Sequence, residues 1–145
     1  GTQLVLWAHN YHVSNIFNNP YANSQGGYLK YTYKDDYEII GFGMNTGAFT
    51  AFNNGRLKEN RVTSVKKRDS YNYIFSFLQN RNFFLRFDQV IDSEAGHWLR
   101  GRRPFLSLGA LYEEPTSQYY IYHSLTSEYD ALLYYDDTES SALIP

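Results

Sequence analysis

Four short apolar runs constrain this chain more than any other feature: Leu4 to Ala8, Glu38 to Met44, Phe83 to Phe87 and Ala131 to Tyr135. They are continuous rather than alternating, which is the pattern of strands buried on both faces, as in a parallel sheet. Between the first two runs, Asn18, Asn19 and Pro20 mark a loop, and Ser24 then stands as the N-cap of a short helix over residues 25–33. Gly26 and Gly27 each weaken that helix by about 1 kcal/mol. Asp35 and Asp36 end it. Strand, helix and strand within some forty residues read as a right-handed βαβ unit.

The stretch "TGAFTAFNNGRL" then carries spaced apolar residues into a strong turn at Asn53-Asn54-Gly55, with Arg61 to Val65 returning as a partner strand. Ser70 caps a second helix whose Tyr71, Ile74, Phe75 and Leu78 fall on one apolar stripe. Phe105 to Tyr112 reads as a further extended segment. The expected fold is α/β in a single domain, with a mostly parallel sheet, flanking helices and an antiparallel hairpin excursion.

A chain of 145 residues with 43% hydrophobic and 19% charged residues fits one globular domain. Its net charge is −2 and its longest basic run is Lys66-Lys67-Arg68, so no nucleic-acid partner is expected. It has no cysteine, which excludes disulfide and thiol chemistry. No apolar run reaches the roughly 18 residues of a membrane span, so no membrane partner is expected; the compartment stays open, with the cytoplasm weakly favoured. Fifteen tyrosines and ten phenylalanines are many for this length. Exposed rings can stack on sugars or partners, but periodic positions assign most of them to a core and its rim.

Open α/β sheets bind ligands outside the carboxyl ends of their strands. Here those ends carry His9-Asn10-Tyr11-His12, then Met44-Asn45, then Asp88, then Asp136-Asp137. If the strands are parallel neighbours, His9 and His12 gather with Asn10, Asn45, Asp88 and Asp136 on one edge. A neutral imidazole exchanges protons near pH 7, so His9 and His12 are the candidate catalytic residues, and the amides and carboxylates the candidate substrate contacts. The plainer reading has the histidines pinning a turn. A third reading makes His9 and His12 two metal nitrogens, with Asp88 or Asp136 as oxygen ligand; it is the weakest, and no metal or cofactor is expected. His97 and His123 read as structural. Asp136 and Asp137 point to opposite faces, so only one can face a site. No G-x-S-x-G elbow or phosphate loop is present, and Gly41-Phe42-Gly43 lacks the rest of a dinucleotide fingerprint.

"LVLWAHNYH" at 4–12 and "GGYLKYTYKDDYEIIGFGMNTGAFTAF" at 26–52 resemble the erythromycin esterase family, including its succinoglycan-biosynthesis-like members. The family's W-A-H-N-x-H element matches Trp7 to His12, its Y-x-x-x-G-F strand matches Tyr37 to Phe42, and its G-x-F segment matches Gly47 to Phe49. Near the end, Gly109 to Tyr112 and Tyr129 to Thr138 match its last two segments, with Tyr134-Tyr135 where the family often has histidine.

The resemblance implies hydrolysis of a small-molecule ester by histidine-activated water, with antibiotic inactivation within the family's scope. It also implies that these residues are the C-terminal part of a longer protein. The first half would supply further histidines and a glutamate, and the part read here would be inactive alone. An uncovered apolar surface would then favour self-association. The alternative is a non-catalytic α/β module that binds a glycan or a protein through exposed tyrosines.

Overall fold

The computed structural model describes residues 3–16, 23–63 and 67–141. Its elements are α1 (Asn10–Val13), α2 (Gln25–Tyr33), β1 (Ile40–Asn53), β2 (Arg56–Val62), α3 (Tyr71–Phe75), β3 (Phe83–Arg86), α4 (Glu94–Leu99), β4 (Arg103–Leu106), β5 (Tyr120–His123), α5 (Leu125–Glu128) and β6 (Ala131–Thr138). Four strands form one sheet in the order β2-β1-β6-β3, while β4 and β5 make a separate two-stranded sheet. Among the described residues no helix is long and apolar enough to cross a membrane.

The sheet is mixed, not mostly parallel. Only β1 and β6 run parallel, with Phe42 opposite Leu133; β1–β2, β3–β6 and β4–β5 are antiparallel. Continuous apolarity reports burial on two faces and carries no information about direction, so the runs located the strands without orienting them.

Leu4 to Ala8 is not a strand. The segment has no regular structure and leaves Leu4 91% and Trp7 80% exposed. A strand needs a ladder partner, and the edge of β1 beside this segment is already taken. The Asn10 side chain bonds both backbone groups of Phe42, and Asn72 Nδ2 donates to the Met44 carbonyl at 2.6 Å. The anticipated βαβ unit therefore does not form, although α2 starts under its Ser24 cap, with Gly27 N–H donating to Ser24 Oγ at 2.9 Å.

β1 is longer than expected because it runs on through the hairpin arm. Its first half pairs with β6 and its second half with β2, and Gly47 is opposite both Thr138 and Val62. Gly47 has φ +120°, and a Cβ there would sit 2.3 Å from the Thr138 backbone, so only glycine lets the strand change partners at this point. The hairpin turns at Asn54-Gly55, both with positive φ, as their sequence anticipated. The return strand is Arg56–Val62 rather than 61–65, and residues 64 and 65 of the expected strand lie outside the described residues, as do Asn18, Asn19 and Pro20.

α3 is one short turn beneath its Ser70 cap, and the expected stripe is only half buried. Tyr71 and Phe75 enter the core, whereas Ile74 and Leu78 remain 39% and 44% exposed. Likewise the segment Phe105 to Tyr112 is strand only to Leu106, with a lone bridge from Phe52 to Leu111 beyond it.

The core lies between the four-stranded sheet and the layer of α3, α4, α5 and β4. Tyr71, Phe75, Phe105, Leu125, Leu132 and Tyr134 are its buried centre. Each large side chain so placed contributes about 1.5–3 kcal/mol of apolar burial, and edge-to-face ring pairs such as Phe75–Tyr134 at 5.1 Å add to it. Two core tyrosines keep their hydroxyls bonded: Tyr71 donates to the Leu99 carbonyl at 3.0 Å and Tyr134 to the Asn72 carbonyl at 3.3 Å.

Candidate functional site

The histidine pair sits on a single helical turn fastened from three sides. His9 is the N-cap of α1, and the His12 N–H closes the turn on the His9 carbonyl at 2.8 Å. The Asn10 carboxamide accepts from Phe42 N–H at 2.9 Å and donates to the Phe42 carbonyl at 2.5 Å, standing in for one residue of a neighbouring strand. Behind the turn, Gly26 of α2 lies against Val13, where a Cβ would come within 1.8 Å of the Val13 carbonyl oxygen. Ser24 Oγ ties the two segments by donating to the Ser14 carbonyl at 2.5 Å.

This fastening treats the two imidazoles differently. His9 Nε2 meets the Leu108 carbonyl, an acceptor only, so Nε2 carries the proton. Its Nδ1 is then the acceptor that faces Tyr11 N–H at 3.4 Å. Both nitrogens are occupied and the tautomer is set. The His12 ring stands 6.3 Å from that of His9 and 6.0 Å from that of Tyr11, and it is exposed. Among the described residues no hydrogen-bond partner holds its nitrogens. One imidazole is anchored and the other is available to a ligand.

Asn45 and Asp136 are brought together, as neighbours across the parallel pair. Asn45 Nδ2 donates to Asp136 Oδ1 at 2.8 Å, and Arg81 pairs with Asp136 Oδ2 at 3.1 Å. Asn82 Oδ1 accepts from the Asp136 N–H at 2.8 Å. Asn45 Oδ1 is buried with no hydrogen-bond partner among the described residues. Asp137 engages Thr46 Oγ1 instead, at 3.1 Å. From Phe42 to Asn45 the strand advances about 10 Å. Asp136 lies on the edge of β1 that pairs with β6, whereas Asn10 holds the other edge at Phe42, and among the described residues no hydrogen bond or ring contact joins the two groups.

Asp88 is at the wrong end of the sheet for a shared site. β3 runs against β6, so Phe83 is opposite Tyr134 and Arg86 opposite Ala131, and the chain leaves β3 away from Asp136. Arg86 bonds Asp88 at 3.1 Å and also pairs with Glu38; the Arg86 guanidinium holds the Asp88 carboxyl below the usual range. With Lys30 and Asp130, paired at 3.0 Å, these residues line a cleft of about 400 Å³. Its cations are bound to its own carboxylates, so the network ties strand ends together. The sequence reading missed Phe42, Leu108, Arg81 and Asn82 as site partners. Each reaches the site through pairing of distant segments, and none has a local signal.

His97 and His123 are each paired with a charged neighbour: His97 Nδ1 lies 3.1 Å from Arg100 Nη1, and His123 Nδ1 meets Glu128 Oε2 at 2.5 Å in a buried pair. Among the described residues no group of three His, Cys, Asp or Glu side chains is disposed to hold a metal ion.

The chain matches the sequence profile described as erythromycin esterase over residues 1–138. No curated protein sequence matches it. Two solved structures share its fold. One is a Bacillus cereus protein at 24% identity and a TM-score of 0.79, covering 92% of this chain and 33% of its own. The other is a succinoglycan biosynthesis protein at 24% identity and a TM-score of 0.76, covering 92% of this chain and 32% of its own. The chain thus spans about a third of the length of each.

Proposed function

The chain belongs to the erythromycin esterase family, and from that premise we propose that it supplies the histidine-bearing part of a hydrolase that cleaves esters with activated water. The observation that carries this reading is the division of labour between the imidazoles. His9 is anchored through Leu108 and Tyr11, while His12 stands exposed with free nitrogens beside it. His12 is the general base. It takes a proton from water as the water oxygen bonds to the ester carbonyl carbon. It returns that proton to the alcohol oxygen as the acyl carbon–oxygen bond breaks, so acid and alcohol leave and the imidazole is regenerated. His9, with its tautomer fixed, orients the reacting groups. Asn10 serves as a positioning residue rather than a substrate contact, and Asn45 and Asp136, bonded to each other across β1 and β6, form a separate polar cluster.

By the family resemblance, further histidines and a glutamate come from a part of family members outside these residues. The 145-residue chain alone is accordingly expected to leave esters intact. The test is turnover of aryl esters and macrolide lactones by the intact product of the gene, with and without His12→Ala. Loss of a general base typically costs on the order of 10²–10⁴ in rate. Unchanged kcat in His12→Ala would overturn the assignment.

One observation favours a second reading, a glycan- or protein-binding module. α2 exposes Tyr28, Tyr31 and Tyr33 at 55%, 70% and 56%. Sugar binding that persists in His12→Ala and is lost in Tyr31→Ala would support it.

A further inference from the structure

The four-stranded sheet has two apolar faces, and the described residues cover one of them. Side chains alternate across a strand, so Leu132, Tyr134 and Phe83 turn into the core. Ile40, Phe42, Leu133, Tyr135 and Phe84 point the other way, as their registers require. On that outer face Ile40 is 40% exposed, Phe42 36%, Tyr135 44% and Phe84 52%, and Trp7 lies across Phe42 with ring centroids 5.2 Å apart.

We propose that this outer face is the docking surface for the remaining polypeptide of an intact family member, the portion that the solved relatives carry beyond the matched third. Three observations point to that occupant. The strands β3 and β6 begin "FFL" and "ALLYY", apolar at successive positions, and a strand with one face in water alternates instead. No Asp, Glu, Lys or Arg occupies the outward positions of β1 from Ile40 to Met44 or of β6 from Leu133 to Tyr135. Exposed sheet surface ordinarily carries such charges, and contiguous apolar patches of this kind mark interfaces. Finally, the two solved proteins of this fold are about three times as long, this chain covering 33% and 32% of them, so their fold includes enough polypeptide to form a second layer.

The position of the face ties it to the candidate site. Phe42 presents its ring to Trp7 on the outer face, while its backbone is held by Asn10, which lies between His9 and His12. A layer laid over Ile40, Phe42 and Tyr135 therefore meets Trp7 and the strand residue to which the histidine turn is fastened.

These 145 residues contain no cysteine, so each introduced thiol is unique among them and is read on its own peptide. Single-cysteine variants Phe42→Cys and Phe84→Cys are made both in the 145-residue chain and in the intact gene product, with Lys58→Cys on β2 as a solvent-exposed reference. Thiol labelling is followed by peptide mass spectrometry. A covered thiol reacts only when its cover opens, so labelling at positions 42 and 84 is expected to slow at least ~10-fold in the intact product relative to the isolated chain. Equal rates in the two would overturn the proposal. Protection already present in the isolated chain, together with a doubled mass by light scattering, would assign the face to a second copy and equally overturn it. Hydroxyl-radical footprinting of Trp7, Phe42 and Tyr135 in the unsubstituted proteins gives the same comparison with no variant to fold.

Discussion

Asn10 closes on both backbone groups of Phe42, accepting from its N–H at 2.9 Å and donating to its carbonyl at 2.5 Å. A side chain thereby occupies the place of a strand residue, and the turn that carries His9 and His12 is registered to β1.

Asn10→Ala removes both bonds and should cost about 1–2 kcal/mol of stability, at roughly 0.5–1.5 kcal/mol per hydrogen bond. Asn10→Asp keeps the acceptor toward Phe42 N–H but sets a carboxylate against the Phe42 carbonyl, so it should be no better than alanine. Denaturant titration of the three proteins checks the order. In the intact gene product both variants should lower kcat with little change in KM, because the histidines lose their register while no substrate contact is removed.

His9→Ala and His12→Ala should separate stability from turnover. His9 loses its bond to Leu108 and its cap on α1, so its alanine variant should lower the thermal midpoint by an amount equivalent to about 1 kcal/mol. Both variants should reduce kcat in the intact protein, and His12→Ala should do so with the midpoint unchanged. Paired measurement of midpoint and kcat on one ester decides it. Full activity with a lowered midpoint in both would leave the histidines only a loop-holding part.

Gly26→Ala should disturb the histidine turn from behind. The added Cβ would fall 1.8 Å from the Val13 carbonyl oxygen, a backbone atom that cannot step aside, so α2 must move off α1. Overpacking of this sort costs typically about 1–3 kcal/mol. Equilibrium unfolding should show that loss, and Gly109→Ala, where a Cβ meets nothing within 4 Å, is the matched control.

Alkali should unfold the protein through its buried phenols. Burial pushes the Tyr120 hydroxyl up to about 12 and raises those of Tyr129 and Tyr134, with Glu128 adding to the shift at Tyr129 and Asp136 at Tyr134. The folded state thus keeps protons that the unfolded chain gives up near pH 10, the ordinary tyrosine value. Their contribution to stability is complete below about pH 10 and is lost as pH rises through the folded values. Ultraviolet titration should show exposed tyrosines ionising first and a buried group ionising together with loss of near-ultraviolet dichroism. A single smooth titration with the fold intact would contradict this.

The amino-acid sequence by itself determined where chain could be buried and where it had to turn. Ser24 and Ser70 cap helices, Asn54-Gly55 turns a hairpin, and Ala131 to Tyr135 is a strand with apolar residues on both sides, because caps, turns and burial are read by local chemistry. The motif from Trp7 to His12 was likewise legible as a histidine-bearing element. Direction, register and edge occupancy were not local properties, and the tertiary structure decided them. β3 runs antiparallel to β6, which sends Asp88 to the far end of the sheet while Arg81 meets Asp136. Two asparagine side chains hold the free edge of β1, which leaves Leu4 to Ala8 without a ladder despite its strand-like sequence. A strand forms only where another segment supplies its hydrogen bonds, and that partner can lie anywhere along the chain.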